Sequence, residues 1–272
     1  MAVFYDTHAH LSRPEFAGDL PQVIARAEGV GVTRIITIGT DLESSRRAVK
    51  LAEEYPQVYA VAGWHPSEAA EAPEDLRPAL RELARHRKVV ALGETGLDYY
   101  RLPSHQAGFT AEDEARCKAR QAELFRQHLE VAAEVGLGCV IHQRSSLEDT
   151  LALVQPFAGR VRGVFHCFAE DAEIMRRIVA MGCLVSFTGI VTYKNAQTVR
   201  DTLAATPLGH FMLETDCPFL APMPHRGKRC EPAYVRETAA LAAQVKGCSL
   251  EELSAATCAT AEKFFAKPSA KA

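Results

Sequence analysis

The sequence has no apolar run near the roughly 20 residues that a membrane-crossing helix needs, so a helical membrane protein is excluded. It has no surplus of basic charge: 31 Lys and Arg stand against 34 Asp and Glu, a net charge of −3. A protein that coats long duplex nucleic acid needs the opposite balance, although a local basic site is still allowed. None of the eight cysteines forms a close Cys-x-x-Cys pair, so neither a zinc knuckle nor a redox couple is indicated and reduced thiols are expected. No stretch rich in Gly, Ser or Pro divides the chain, and Met1-Ala2-Val3-Phe4-Tyr5-Asp6 reaches a charge too early for a secretory leader. The expectations are one domain over 1–266, a frayed tail over 267–272 and a cytoplasmic location. No coiled coil or partner helix stands out, and a monomer is expected.

What is present is globular: 272 residues, 47% hydrophobic and 24% charged, enough to bury a large core. Short runs rich in Val, Ile and Phe alternate with longer amphipathic stretches, the pattern of βα units around a parallel sheet. Eight runs recur: Val3 to Asp6, Arg34 to Gly39, Val58 to Gly63, Val89 to Glu94, Gly138 to His142, Gly163 to Cys167, Leu184 to Gly189 and Phe211 to Asp216. Spread over 272 residues, eight units receive 34 each, about what a strand, a helix and two connections require. A single (β/α)8 TIM barrel is predicted. Helix signals agree: Thr40-Asp41-Leu42-Glu43 reads as a capping box opening a helix over Leu42 to Glu54, Glu112 to Val135 as the longest helix with Gly136 stopping it, and Ser249-Leu250-Glu251-Glu252 as the start of the last.

Most runs end in a side chain that binds metal or moves a proton. The first enters Asp6-Thr7-His8-Ala9-His10, the third Trp64-His65-Pro66, the fourth Glu94, the fifth His142, the sixth His166 and the eighth Glu214-Thr215-Asp216. In a parallel barrel these carboxyl ends meet on one face, where barrel active sites lie. Period-two alternation turns His8 and His10 to one side, and Glu214 and Asp216 likewise, while it turns Cys167 and Cys217 away. Imidazoles with carboxylates suit zinc, manganese or other divalent ions, and four His with two acids exceed what one zinc takes. Two ions with a bridging carboxylate fit better, and Glu94 on the middle strand is the expected bridge. His86, His105, His128, His210 and His225 fall in helices or loops and read as surface or packing residues.

Asp6-Thr7-His8-Ala9-His10, Gly63-Trp64-His65-Pro66, Gly93-Glu94-Thr95-Gly96-Leu97-Asp98-Tyr99-Tyr100, Ile141-His142-Gln143-Arg144, Phe165-His166-Cys167-Phe168 and Leu213-Glu214-Thr215-Asp216-Cys217-Pro218 form an ordered set spanning 6–218. With this set the chain resembles the TatD-like metal-dependent deoxyribonucleases of the amidohydrolase superfamily. The resemblance implies a barrel holding two, sometimes three, divalent ions (Zn, Mn or Mg): His8, His10, Glu94 and Asp216 around one, Glu94, His142 and His166 around the other, and His65 near the substrate. It also implies a nuclease on DNA, often trimming from the 3′ end, while some relatives are linked to removing D-amino acids from tRNA. Two departures from the family pattern stand at Cys230-Glu231-Pro232 and at Ser145-Ser146.

For the chemistry, Asp216 is expected to orient the attacking water and take its proton, with Glu94 as the other catalytic carboxylate. Glu214 is expected to orient the ligands through hydrogen bonds, a buried ion pair being the equal alternative; Asp6 is expected to do the same, or to serve as a strand-end cap or ion-pair partner. Arg144, Arg226, Lys228 and Arg229 are candidates for gripping phosphates, against a reading as solvated surface charge. Trp64, Tyr99 and Tyr100 are candidates for stacking on unpaired bases, against a reading as core. The expected partner is single-stranded DNA or its 3′ ends, and the alternative activity is hydrolysis of a small-molecule or aminoacyl-tRNA ester or amide on the same barrel.

Overall fold

The computed structural model describes residues 2–102 and 110–267. Within them, eight parallel strands pair in chain order: β1 (Phe4–Ala9), β2 (Val32–Ile38), β3 (Val58–Ala62), β4 (Val89–Asp98), β5 (Gly138–Arg144), β6 (Gly163–Phe165), β7 (Leu184–Phe187) and β8 (Phe211–Leu213). A helix follows each strand: α1 (Leu20–Gly29), α2 (Leu42–Glu54), α3 (Arg77–Arg85), α4 (Ala111–Val135), α5 (Leu147–Val154), α6 (Ala172–Ala180), α7 (Gln197–Ala205) and α8 (Val235–Lys246), with α9 (Leu250–Phe264) added at the end. This is the predicted (β/α)8 barrel. No helix of the described residues is long and apolar enough to cross a membrane.

Strand alternation divides the core into two layers. One set of strand residues, including Ile36, Ile38, Val61, Val140, Val164 and Met212, packs inside the barrel against Phe264 and Phe265 at the end of α9. The opposite set, including Ile35, Ala60, Cys139, Ile141, Val185 and Phe211, packs outward against the helices. The seam between β8 and β1 closes through the segment just past β8: Thr7 donates to the Leu213 carbonyl (3.0 Å), the Asp216 N–H to the His8 carbonyl (2.9 Å) and the His10 N–H to the Cys217 carbonyl (2.8 Å).

Several boundaries differ from the sequence reading. β8 stops at Leu213 because Asp216 takes a left-handed backbone (φ 59°), so Asp216 reaches the mouth by a turn and not by alternation from Glu214. Cys167 is left-handed too (φ 50°), and its side chain lines the mouth instead of turning away; Cys217 is fully buried and outside that lining. β4 runs four residues beyond Glu94, its register against β5 shifting between Leu92 and Thr95 before Gly96 pairs with His142. Gly96 is obligatory there, since it sits at φ 142° and a Cβ would lie 2.0 Å from the His142 carbonyl oxygen.

The box that opens α2 is built by Asp41 and Ser44, not Thr40 and Glu43. Asp41 is the last extended residue, so its carboxylate is the group that meets the Ser44 N–H (2.6 Å), and the Ser44 hydroxyl accepts the Asp41 N–H in return (2.9 Å). Lys267, assigned to the tail, donates its ammonium to the Ala84 and His86 carbonyls (2.8 Å each), while 268–272 lie outside the described residues. All eight cysteines are free thiols.

Candidate metal centre

The strand ends bring the predicted ligands into one cluster. The His8 and His10 Nε2 atoms lie 3.3 Å apart. Asp216 Oδ1 stands 3.2 Å from His10 Nε2 and 3.7 Å from His8 Nε2. Glu94 lies between two groups: Oε2 faces His8 (3.3 Å) and His10 (3.7 Å), whereas Oε1 faces His166 Nε2 (2.7 Å), His142 Nδ1 (3.0 Å) and His65 Nε2 (3.3 Å). That two-sided environment is what a bridging carboxylate requires.

Three ligand groups fall within reach of an ion: His8, His10 and Asp216; His8, Glu94 and His166; and His65, Glu94 and His142. His65, expected only beside the substrate, is therefore in the cluster itself. Its Nδ1 accepts the Ser67 N–H (3.1 Å), which leaves Nε2 turned inward. The donor set fits divalent ions: imidazole nitrogens turned toward one another at 3.3 Å, with two carboxylates between them, form an arrangement that a cation completes.

The carboxylates are held ionised. Burial works to raise Glu94, but the imidazoles of His166, His65 and His8 outweigh it and hold its carboxyl well below the usual range. Asp216 is lowered in the same way, burial being overcome by the His10 hydrogen bond and the nearby His8. His166 is raised well above the ordinary imidazole value, because Glu94 and Glu214 overcome a burial that would lower it.

Further polar residues brace these ligands. Glu214 Oε1 accepts the Cys167 N–H (2.7 Å) and lies 3.6 Å from His166 Nδ1, so it steadies the turn that carries His166. Asp6 accepts the Thr215 N–H (2.9 Å), the Thr215 hydroxyl (2.6 Å) and the His8 N–H (3.3 Å), tying His8 to the segment that presents Asp216. Burial pushes the Asp6 carboxyl up to about 8 despite those bonds from Thr215 and His8.

Sequence reasoning left three supporting residues without a role. Asp98 is buried, and its Oδ2 lies 3.2 Å from His142 Nε2, fixing the ring whose Nδ1 faces Glu94; the alternation from Glu94 through Gly96 to Asp98 is the signal for it. Gln121 on α4 accepts the Asp98 N–H (2.9 Å) and donates to the Asp98 carbonyl (3.2 Å). One heptad on, His128 accepts the Trp64 N–H at Nε2 (3.0 Å), and its Nδ1 lies 2.7 Å from the Leu124 carbonyl and 3.2 Å from the Thr95 hydroxyl. Trp64 precedes His65 and Thr95 follows Glu94, so this packing histidine sets backbone on both sides of the cluster. Burial lowers its pKa to about 4, which keeps it neutral.

The cluster floors a cavity of about 870 Å³ whose rim includes Arg13, Arg101, Arg144 and Phe219. Arg144 is thus where it was expected. Arg226 is not in the lining: it is exposed, with its guanidinium 3.9 Å from the Tyr193 ring. Lys228 is exposed and also outside the lining, and Arg229 is spent on Asp19 (2.7 and 2.8 Å) and the Glu15 carbonyl. Among the stacking candidates, Trp64 is buried with its indole N–H on the Glu68 carbonyl (2.7 Å), Tyr99 is half-buried with its hydroxyl on Asp149 (2.8 Å), and Tyr100 alone is exposed.

His86 pairs with Glu53 and His225 stacks on Tyr234, while His105 lies outside the described residues. Of the two departures from the family pattern, Cys230 is buried and Glu231 pairs with Arg26 (2.6 Å), while Ser145 lines the cavity and the Ser146 hydroxyl donates to the Leu97 carbonyl (2.8 Å).

Compared with known proteins, residues 5–266 match the family of TatD-related DNases. The chain belongs to this family. It is 39% identical over 264 residues to YabD of Bacillus subtilis (strain 168), an uncharacterized metal-dependent hydrolase, covering 97% of this chain and 99% of that one. It is 32% identical over 268 residues to the 3′-5′ ssDNA/RNA exonuclease TatD of Citrobacter rodentium, covering 96% and 97%. The crystal structure of YJJV, a TatD homolog from Escherichia coli K12, superposes with a TM-score of 0.86 at 28% identity over 97% of this chain and 98% of that one. Membership makes the chain a metal-dependent hydrolase, the class that a cluster of five imidazoles and two carboxylates serves.

Proposed function

We propose that the protein is a nuclease that hydrolyses phosphodiester bonds of single-stranded DNA or of strand ends, removing nucleotides from the 3′ side. The observation that carries the reading is Glu94, whose two oxygens face separate ligand groups at the floor of an arginine-rimmed cavity. His8, His10, Glu94 and Asp216 would hold one divalent ion, and Glu94, His142 and His166 a second, with His65 beside them. The ions supply Lewis acidity, which makes water a nucleophile near neutral pH and offsets charge on the phosphoryl oxygens.

The chain's own groups do the rest. Asp216, kept ionised by its histidine neighbours and lining the cavity, takes the proton of the attacking water. Asp98 holds the His142 ring in orientation, Glu214 steadies the turn that carries His166, and Asp6 holds the β1 and β8 ends in register. Arg13, Arg101 and Arg144 provide the positive rim that receives backbone phosphates, which the net charge of the whole chain does not.

The test is purified protein supplied with Mn²⁺, Mg²⁺ or Zn²⁺ and a 5′-labelled single strand, with and without chelator. Stepwise shortening from the 3′ end, lost with chelator and in Asp216→Asn, is expected. A strand left intact under every ion, beside hydrolysis of a panel of aminoacyl esters or amides, overturns the reading in favour of an ester or amide hydrolase.

A further inference from the structure

Among the described residues only two aromatic side chains are exposed, Tyr100 (56%) and Phe219 (44%). Both stand at the barrel mouth. Phe219 follows β8, and the Arg13 guanidinium, from the loop after β1, lies over its ring at 5.0 Å from the centroid. Tyr100 follows β4, and the guanidinium of Arg144, the last residue of β5, lies over its ring at 3.9 Å. With eight strands in chain order, the β8–β1 seam is diametrically opposite the β4–β5 pair. The same device, one ring braced by one arginine, is therefore built twice, on facing sides of the metal cluster.

Each pair is also tied to the cluster. The Phe219 ring lies 6.2 Å from the His10 ring, and the Phe219 N–H donates to the Asp216 carbonyl (3.0 Å). The Tyr100 N–H donates to Asp98 Oδ1 (2.9 Å), and Asp98 holds His142. Arg13, Phe219 and Arg144 line the cavity itself. With an arginine over the ring, each residue still keeps about half its surface exposed, and the guanidinium supplies a charge beside the place where a phosphate would run.

We propose that Phe219 with Arg13, and Tyr100 with Arg144, are two stacking stations that seat the unpaired nucleobases on either side of the phosphodiester held at the metal cluster. This rests on the nuclease reading and adds to it how a single strand is preferred: a duplex hides the base faces that the two rings take up. For trimming from a 3′ end, the bases on either side of the scissile phosphate are the terminal and the penultimate one.

The experiment compares 5′-labelled single strands carrying an ordinary base or an abasic analogue at the terminal or the penultimate nucleotide. For the wild-type enzyme, an abasic nucleotide at either position is expected to lower kcat/KM between about 5- and 100-fold. Phe219→Ala is expected to erase the penalty at one of the two positions and Tyr100→Ala at the other, while Phe219→Trp and Tyr100→Phe retain both penalties. Because each penalty is a ratio within one variant, a general loss of activity does not imitate it. A wild-type enzyme that trims strands but is indifferent to abasic nucleotides, or alanine variants that keep both penalties, overturns the stations and leaves the nuclease reading standing. A wild-type enzyme that leaves every strand intact removes both.

Discussion

Replacing His128 by Phe keeps the shape of a buried ring on α4 and removes its polar atoms, so the variant isolates what those atoms do. Three contacts are affected unequally, the longest being that of Nδ1 with the Thr95 hydroxyl (3.2 Å). The Leu124 carbonyl lies within α4, where a helical amide also serves it, and loses little. The Trp64 N–H loses its acceptor at 3.0 Å inside a buried segment, a cost of about 1–3 kcal/mol. For a chain of this size that lowers Tm by about 2–12 °C at neutral pH.

The sign reverses with acid. Burial holds the folded His128 pKa at about 4 against the ordinary imidazole value of about 6.5, so between these pH values the unfolded chain binds a proton that the folded chain refuses. The wild type therefore has its full stability from this group above pH 6.5 and loses roughly 3 kcal/mol of it by pH 4, with about 2 kcal/mol already gone at pH 5. The Phe variant has no such dependence. Thermal unfolding of the metal-free proteins from pH 5 to 8 should show the variant less stable at pH 7.5 and the two converging near pH 5.

His128→Gln, whose amide oxygen can still accept from Trp64, should recover part of the neutral-pH loss. Activity follows the same order, since Trp64 precedes His65 and a displacement of about 1 Å at a reacting centre costs about 100-fold. A Phe variant as stable and active as wild type at pH 7.5, or a gap that stays constant down to pH 5, would refute the argument.

Three other outcomes follow from the cluster. Glu94→Gln should abolish turnover and lower the ions bound per chain by elemental analysis, because one carboxylate faces both ligand groups; an unchanged stoichiometry contradicts the bridge. Asp98→Asn should reduce metal affinity or activity about 10- to 100-fold while leaving Tm nearly unchanged, read by metal titration, since it loosens the His142 ring without touching an ion. Gly96→Ala should give little soluble protein, as its Cβ would meet the β5 backbone at 2.0 Å; normal expression with a native circular dichroism spectrum would count against that geometry.

The barrel and its candidate ligands were legible in the sequence because both are local signals. A strand announces itself by its apolar run, and a candidate ligand by standing at or just beyond the end of that run, where His8, His10, Glu94, His142, His166 and Asp216 all lie. Closure of the sheet then converts sequence position into a place on the rim, with no further information required. Asp98 was within reach of the same alternation, yet β4 was taken to end four residues too soon.

Other features belong to the tertiary structure alone. Whether an arginine serves the cavity or a surface pair depends on what the loops put beside it: Arg229 meets Asp19 and Arg226 meets Tyr193, while Arg13 meets Phe219 from the other end of the chain. Gln121 and His128 look like ordinary members of a long helix until packing sets them against the backbone of Asp98 and Trp64. The sequence by itself determined which elements form and which donors stand at their ends, because periodicity and strand termination act over a few neighbouring residues. The partners of each buried polar group and each rim cation were decided only when distant segments met, because hydrogen bonds and ion pairs act over about 3 Å of space, whatever the separation along the chain.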